Sequence, residues 1–245
     1  NSLVGDQADD RIGSGEYREL ASGDVLVRSP GYHNGTGRVD LLPLASTDFP
    51  LSGDLSFADA AGRDVRLKTS QITNILNTGT NLVLQANNEI SVDSAIRVDN
   101  PLGNGGDLTL QAGNRVAINA DIFTDNGDLK VVANERYSRG VIASEREPGQ
   151  ANLSLEFGTE INAGKGNVRL LMAGENNPDN KFILLGGSVT ARRIAVVNYA
   201  NGGRIYLGDD AVLKASGTGL SLVVGATNHG TIVADYLPGN LQTPN

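Results

Sequence analysis

The chain contains no cysteine, so neither a disulfide framework nor a thiolate-ligated metal is available to it. A cytosolic chain of this length usually keeps a stray thiol, so the absence tilts toward export. An exported chain with a continuous core needs no disulfide. Tryptophan is also missing, and aromatics make up only 4% of the 245 residues. Large rings cannot dominate the core, which falls to small and β-branched side chains. No apolar run reaches the roughly 18 residues of a membrane-spanning helix. The opening residues, Asn1 to Gly15, have neither the basic nor the apolar region of a signal peptide, which suggests a mature chain or an excised fragment. Positive charge is the minority: 20 Lys and Arg stand against 28 Asp and Glu, a net charge of −8 with a pI near 4.8. Such a chain repels phosphate backbones and anionic headgroups, so nucleic acid and membrane surfaces are not expected partners.

What the chain does have is glycine, 31 residues of it, and short apolar alternations bounded by Gly, Asn and Asp. These read as strands, and no segment sustains a helical period over three turns. One phrase recurs after 21 residues: Gly106-Asp107-Leu108-Thr109-Leu110-Gln111-Ala112 and Gly127-Asp128-Leu129-Lys130-Val131-Val132-Ala133. Extending it gives a first set of strand starts at Leu82, Leu108, Leu129, Val168, Ile194 and Leu220. A second set begins at Ile90, Val116, Leu153, Phe182, Ile205 and Ile232, and a third at Ile96, Ile122, Ile161, Val189 and Val212. Steps from second to third strand of 6, 6, 8, 7 and 7 residues describe a corner of nearly fixed length.

Turns lacking paired two-residue hairpin signals exclude a meander of hairpins, so successive coils must stack in parallel. The expected fold is all-β, a right-handed parallel β-helix of three-strand coils, its hand following from the rule for parallel crossovers. About ten coils rising by the strand spacing, roughly 4.8 Å, would make one elongated domain. A propeller or a sandwich fits these spacings poorly. Residues 1–60, with Pro30, Pro43 and Pro50, read as irregular coils, such as Asp24 to Arg28 and Arg38 to Leu42, or as a cap. Residues 61–236 read as the β-helix and 237–245 as a frayed tail.

The stretches "TSQITNILNTGTNLVLQANNEISVDSAI", "GNGGDLTLQAGNRVAINADI" and "DNGDLKVVAN" resemble filamentous haemagglutinin-type exoproteins of bacterial two-partner secretion, best over about residues 62–134. The resemblance implies a secreted or cell-surface β-helix of a Gram-negative bacterium, exported by a partner outer-membrane β-barrel and used in adhesion and virulence. Where the family's secretion domain carries Asn-Pro-Asn, this chain has Asn100-Pro101-Leu102 and Asn177-Pro178-Asp179.

Chemistry-bearing residues are sparse. His33 and His229 sit in Gly-rich turns with no evident partner for metal or base work. Asp125 to Asp128, Asp209-Asp210 and the Gly103 to Asp107 turn are better explained by turn chemistry than by calcium. Arg192 and Arg193 should alternate in and out of a coil, one of them salt-bridged. Asn34-Gly35-Thr36 and Asn152-Leu153-Ser154 are glycosylation triplets, and the mixed-sign run Glu135 to Glu147 reads as a solvated loop. No cofactor, metal site or catalytic residue is expected.

A binding face is expected along the corner between first and second strands, where the longer linkers collect: Asn134 to Asn152, Ala173 to Lys181, Tyr199 to Arg204 and Gly225 to Thr231. These linkers should project from one edge and offer Arg136, Tyr137, Arg139, Glu175, Asn176, Asn177, Tyr199 and Arg204 to an extracellular protein or glycan receptor. The function read from this is a non-catalytic adhesin segment. The alternatives are a β-helical enzyme binding or cleaving polysaccharide, which would want clustered carboxylates and aromatic platforms, and a spacer with no site.

Overall fold

In a computed structural model the chain divides into two compact units, residues 1–49 and residues 50–245. The structure describes residues 17–19, 25–29, 38–42, 49–136, 138, 140–147, 151–174, 181–200, 202–224, 231–234 and 241–242. The first unit holds a three-stranded sheet of Tyr17–Glu19, Val25–Ser29 and Arg38–Leu42. Two of these strands fall where the sequence suggests irregular coils, but Val25 lies opposite Leu42 and the pairing is antiparallel. Too few residues separate the strands for the crossover that parallel pairing requires, so the chain can only fold back.

The second unit is a parallel β-helix built on three ladders. In the first, Leu82 pairs with Leu108, Leu108 with Leu129, Leu129 with Val168, Val168 with Ile194 and Ile194 with Leu220, the register that the spacing predicts. The second ladder stacks Glu89–Val92, Arg115–Ile118, Asn152–Leu155, Phe182–Leu185, Arg204–Leu207 and Thr231–Ala234. The third stacks Ile96–Arg97, Ile122–Phe123, Glu160–Asn162 and the leading parts of two long strands, Ser188–Asn198 and Val212–Val224. The stack makes about five turns, not ten, because insertions and the first unit keep much of the chain out of it. At the strand spacing this is a rise of roughly 24 Å.

Three further differences from the expected pattern have simple causes. Ile183, not Phe182, lines up with Leu153 and Ile205, and Leu213, not Val212, lines up with Val189. Each strand has apolar residues on both faces, and a one-residue shift exchanges the faces. In the last two coils the third and first strands fuse into single strands, with a register shift between Ala191 and Arg193. Arg192 and Arg193 are therefore both exposed instead of alternating, and Arg192 donates to Asn167 Oδ1 at 3.4 and 3.2 Å. Lastly, Leu241–Gln242, in the tail expected to fray, pairs with Leu213 and Lys214 and continues the third ladder.

The interior is aliphatic, as the scarcity of aromatics requires. Leu82, Leu108, Val131, Val168, Ile183, Val189 and Ile205 are all fully buried. The leading end of the stack is closed by Leu55, bridged to Leu84 in parallel, by the buried Phe57, and by the helix Thr69–Leu76, which buries Ile72 and Leu76. Eight residues form too few turns for a three-turn period to reveal the helix.

The recurring Gly-Asp phrase marks the corner between third and first strands. A Cβ on Gly127 would lie 2.3 Å from the carbonyl oxygen of Gly106, and one on Gly166 would lie 2.3 Å from that of Gly127, so the coils touch backbone to backbone. The next residue closes the joint. Asn81 Oδ1 accepts the Asp107 N–H, Asp107 Oδ1 the Asp128 N–H, and Asp128 Oδ1 the Asn167 N–H, each at 2.8 Å. Glycine clears the approach and the side chain after it satisfies the next coil's donor.

Candidate functional site

Most length variation between coils falls at the corner between first and second strands. Its longest insertion, from Asn134 to Asn152, does not stand away from the stack over its described part. It lies back along the corner toward the leading coils. Ile142 donates its N–H to Asn87 Oδ1 at 2.9 Å, and Asn87 Nδ2 donates to Glu145 Oε2 at 2.8 Å and to Phe57 O at 2.9 Å. Glu147 donates to Asn88 Oδ1 at 3.3 Å, Asn114 Nδ2 reaches Glu147 O at 3.4 Å, and Arg146 donates to Asn134 Oδ1. Above them Gln85 donates to Gln111 Oε1 at 2.8 Å, and Gln111 donates to Glu135 Oε2 at 2.9 Å and Ser138 Oγ at 2.6 Å. The run Glu135 to Glu147 is thus fastened to amides, not merely solvated. Its sequence signal is the return of Asn and Gln at the ends of consecutive first strands.

Of the residues proposed from sequence, Tyr137, Arg139, Glu175, Asn176 and Asn177 lie outside the described residues, as do His33, His229 and the Asn34 triplet. Arg136 is half-buried within the fastened insertion. Tyr199 is exposed and backs onto Gly174, where a Cβ would lie 2.5 Å from the Tyr199 carbonyl oxygen. Arg204 is exposed and stands on the outer face of the second ladder, away from the fastened insertion.

That outer face gathers side chains the spacing does not single out. Because Ile183, Leu185, Ile205 and Leu207 point inward, Phe182, Leu184, Arg204 and Tyr206 point outward in two adjoining rows. The Phe182 and Tyr206 rings meet edge to face, centroids 5.9 Å apart at 78°. Arg204 Nη1 donates to the Tyr206 hydroxyl at 3.1 Å, and this hydrogen bond holds the guanidinium above its ordinary pKa. Beside them lies Phe157, 53% exposed. A Cβ on Gly186 would sit 3.0 Å from its Cγ, and one on Gly208 would sit 2.8 Å from its Cε1. The ring therefore rests across two glycines of successive coils, with its other side toward solvent. This arrangement offers flat apolar surface for stacking and a guanidinium and a hydroxyl for hydrogen bonds.

The acidic turns have structural partners. Asp125 Oδ2 accepts the Asn100 N–H at 2.8 Å, Asn126 Oδ1 accepts the Lys165 N–H at 3.0 Å, and Asp128 holds the Asn167 backbone and side chain. Asp125 and Asn126 take left-handed backbone conformations, with φ of 49° and 68°, which Asp and Asn tolerate. Gly105 and Gly106 of the Gly103 to Asp107 turn press against backbone of neighbouring coils.

Fold and surface together define the class: a parallel β-helical protein with aliphatic side chains inside its coils and aromatic ones outside. No protein-family model, no curated protein and no solved structure matches the chain.

Proposed function

We propose that this chain is a non-catalytic segment of a secreted surface adhesin, in which stacked coils act as a stiff support and an outer face engages an extracellular protein or glycan. The observation that carries the reading is the placement of Phe157, Phe182 and Tyr206 on the outside of the second ladder, in a chain with so few aromatics. Phe157 is exposed and Phe182 and Tyr206 are half-buried on the outward side, so none of the three fills the interior, and aromatic side chains are the usual anchors of binding surfaces. The resemblance of residues 62–134 to two-partner-secretion exoproteins supports the rest of the proposal: export through an outer-membrane β-barrel to the surface of a Gram-negative bacterium.

The test is adhesion of the purified chain to arrayed glycans, matrix proteins and host or bacterial cells, beside the triple variant Phe157→Ala, Phe182→Ala, Tyr206→Ala. Because these side chains face outward, the variant should keep its circular dichroism and unfolding temperature while losing adhesion by about tenfold or more. Absence of adhesion by the parent, or full adhesion by the folded variant, overturns the reading.

A further inference from the structure

On a different face, six basic side chains converge. Lys130 and Arg169 are direct neighbours in the first ladder, on the outward positions of the third and fourth coils. Lys165 occupies the corner leading into the fourth coil, and Arg192 and Arg193 occupy the corresponding corner of the fifth, both turned outward by the register shift there. Lys214 follows on the outer position of the next strand, Val212–Val224, paired with Thr190. All six are exposed, and among the described residues none is ion-paired. Arg192 reaches only the neutral Asn167.

Glycines make room for the arginines. A Cβ on Gly217 would lie 3.1 Å from Arg192 Cγ, and one on Gly219 would lie 3.1 Å from Arg193 Cγ. Acids border this strip: Asp107, Asp125 and Asp128 toward the leading coils, Glu160 on the third ladder, and Asp209 and Asp210 in the turn before the strand of Lys214. Asp128 is engaged by Asn167 and Asp107 by the Asp128 N–H, so both are occupied in joining coils.

Nothing in folding explains this strip. Like charges side by side on neighbouring strands are destabilising, as Lys130 and Arg169 are here, and both sit in a chain of net charge −8 that offers many acids for pairing. From Lys130 to Lys214 the strip climbs three coils, roughly 15 Å at the strand spacing.

We infer that this strip is a binding site for a linear anionic polysaccharide, its carboxylate or sulfate groups held by Lys130, Arg169, Arg192, Arg193, Lys165 and Lys214. Guanidinium groups bind such planar or tetrahedral oxyanions through paired N–H donors, and a strip running along the coil axis suits an extended chain. The strip holds no aromatic side chain on which unpaired bases could stack, and a duplex longer than the strip would meet the acidic remainder of the protein. The site is separate from the aromatic face and does not depend on it.

The experiment measures binding of polygalacturonate, dextran sulfate, neutral dextran and duplex DNA to the whole chain at low and at physiological salt. Two charge-matched double variants are compared, Lys130→Gln with Arg169→Gln on the strip, and Arg63→Gln with Arg66→Gln away from it. The parent should bind polygalacturonate, dextran sulfate or both, more weakly as salt rises, and should ignore neutral dextran. Binding by polygalacturonate assigns the site to carboxylates and binding by dextran sulfate alone to sulfates. The strip variant should lose about tenfold or more, the control variant little, and both should unfold as the parent does. Failure to bind either charged glycan at low salt overturns the inference, as does equal loss in both variants. Duplex DNA bound as tightly, with the same sensitivity to the strip variant, would assign the strip to nucleic acid instead.

Discussion

Asn87 and Ile142 are 55 residues apart in sequence, yet the N–H of Ile142 is bonded to the Asn87 side chain at 2.9 Å. Asn87 is 7% exposed and also holds Glu145 and Phe57, so one amide joins the leading cap, the first coil and an insertion that leaves the stack two coils later. Replacing Asn87 with Ala removes three hydrogen bonds and should cost about 1 to 3 kcal/mol. Amide exchange at Ile142 should accelerate far more than at Leu129, inside the first ladder. Equal protection at Ile142 in parent and variant would show that the insertion is held from elsewhere.

Leu110 is 1% exposed and lies between Leu84 and Val131 in one interior column. A carboxylate there has no partner, so Leu110→Asp should lower stability by more than about 3 kcal/mol, enough to threaten folding, while Leu110→Ala should cost about 2 to 4 kcal/mol. Chemical unfolding of the Ala variant gives the quantitative check.

Two glycines make a matched pair. Gly127 has the Gly106 carbonyl where a Cβ would go, whereas Gly103 has nothing within 4 Å. Gly127→Ala must push two coils apart and should destabilise by about 2 kcal/mol or more. Gly103→Ala should fall within about 0.5 kcal/mol of the parent. Comparable unfolding temperatures for the two variants would refute backbone-to-backbone stacking at this corner.

Asp93 tests the polar joint between second and third strands. Ser91 Oγ and then Asn119 Nδ2 hydrogen-bond to its carboxylate, at 2.7 and 2.8 Å, and hold its pKa below the usual value. With the folded pKa lowered, the stabilisation is present above the unfolded carboxylate range and is lost as pH falls through the folded value. Removing the hydroxyl in Ser91→Ala should move the Asp93 titration upward by NMR. An unmoved titration would mean that Ser91 does not set it.

The first ladder was legible to the residue because its inward positions hold Leu, Ile or Val in every coil while its neighbours vary. Phe182 and Val212 show where that signal fails. Each stands beside another apolar residue, Ile183 or Leu213, and hydrophobicity cannot tell which of two neighbours faces inward; only alignment with the coils on either side does. The same ambiguity concealed the aromatic face, since reading Phe182 as core removes it from the surface. The antiparallel sheet of the first unit was hidden for another reason, as pairing direction depends on connection length and not on strand composition. At the corner, the insertion's position was readable from spacing, but its course back along Asn134, Asn114 and Asn87 rests on side-chain bonds between residues up to 59 apart.

Three side-chain joints along the Gly-Asp corner run one way, while the Asn100 N–H of the first coil, reaching forward to Asp125 Oδ2, runs the other. In each of the three, the acceptor belongs to the earlier coil and the N–H to the later: Asn81 receives Asp107, Asp107 receives Asp128, and Asp128 receives Asn167. A coil that folds after its predecessor finds an acceptor already in place, while one that folds before it leaves a backbone donor waiting. These three joints favour growth of the stack from the amino-terminal side, in which each new coil meets an acceptor already formed.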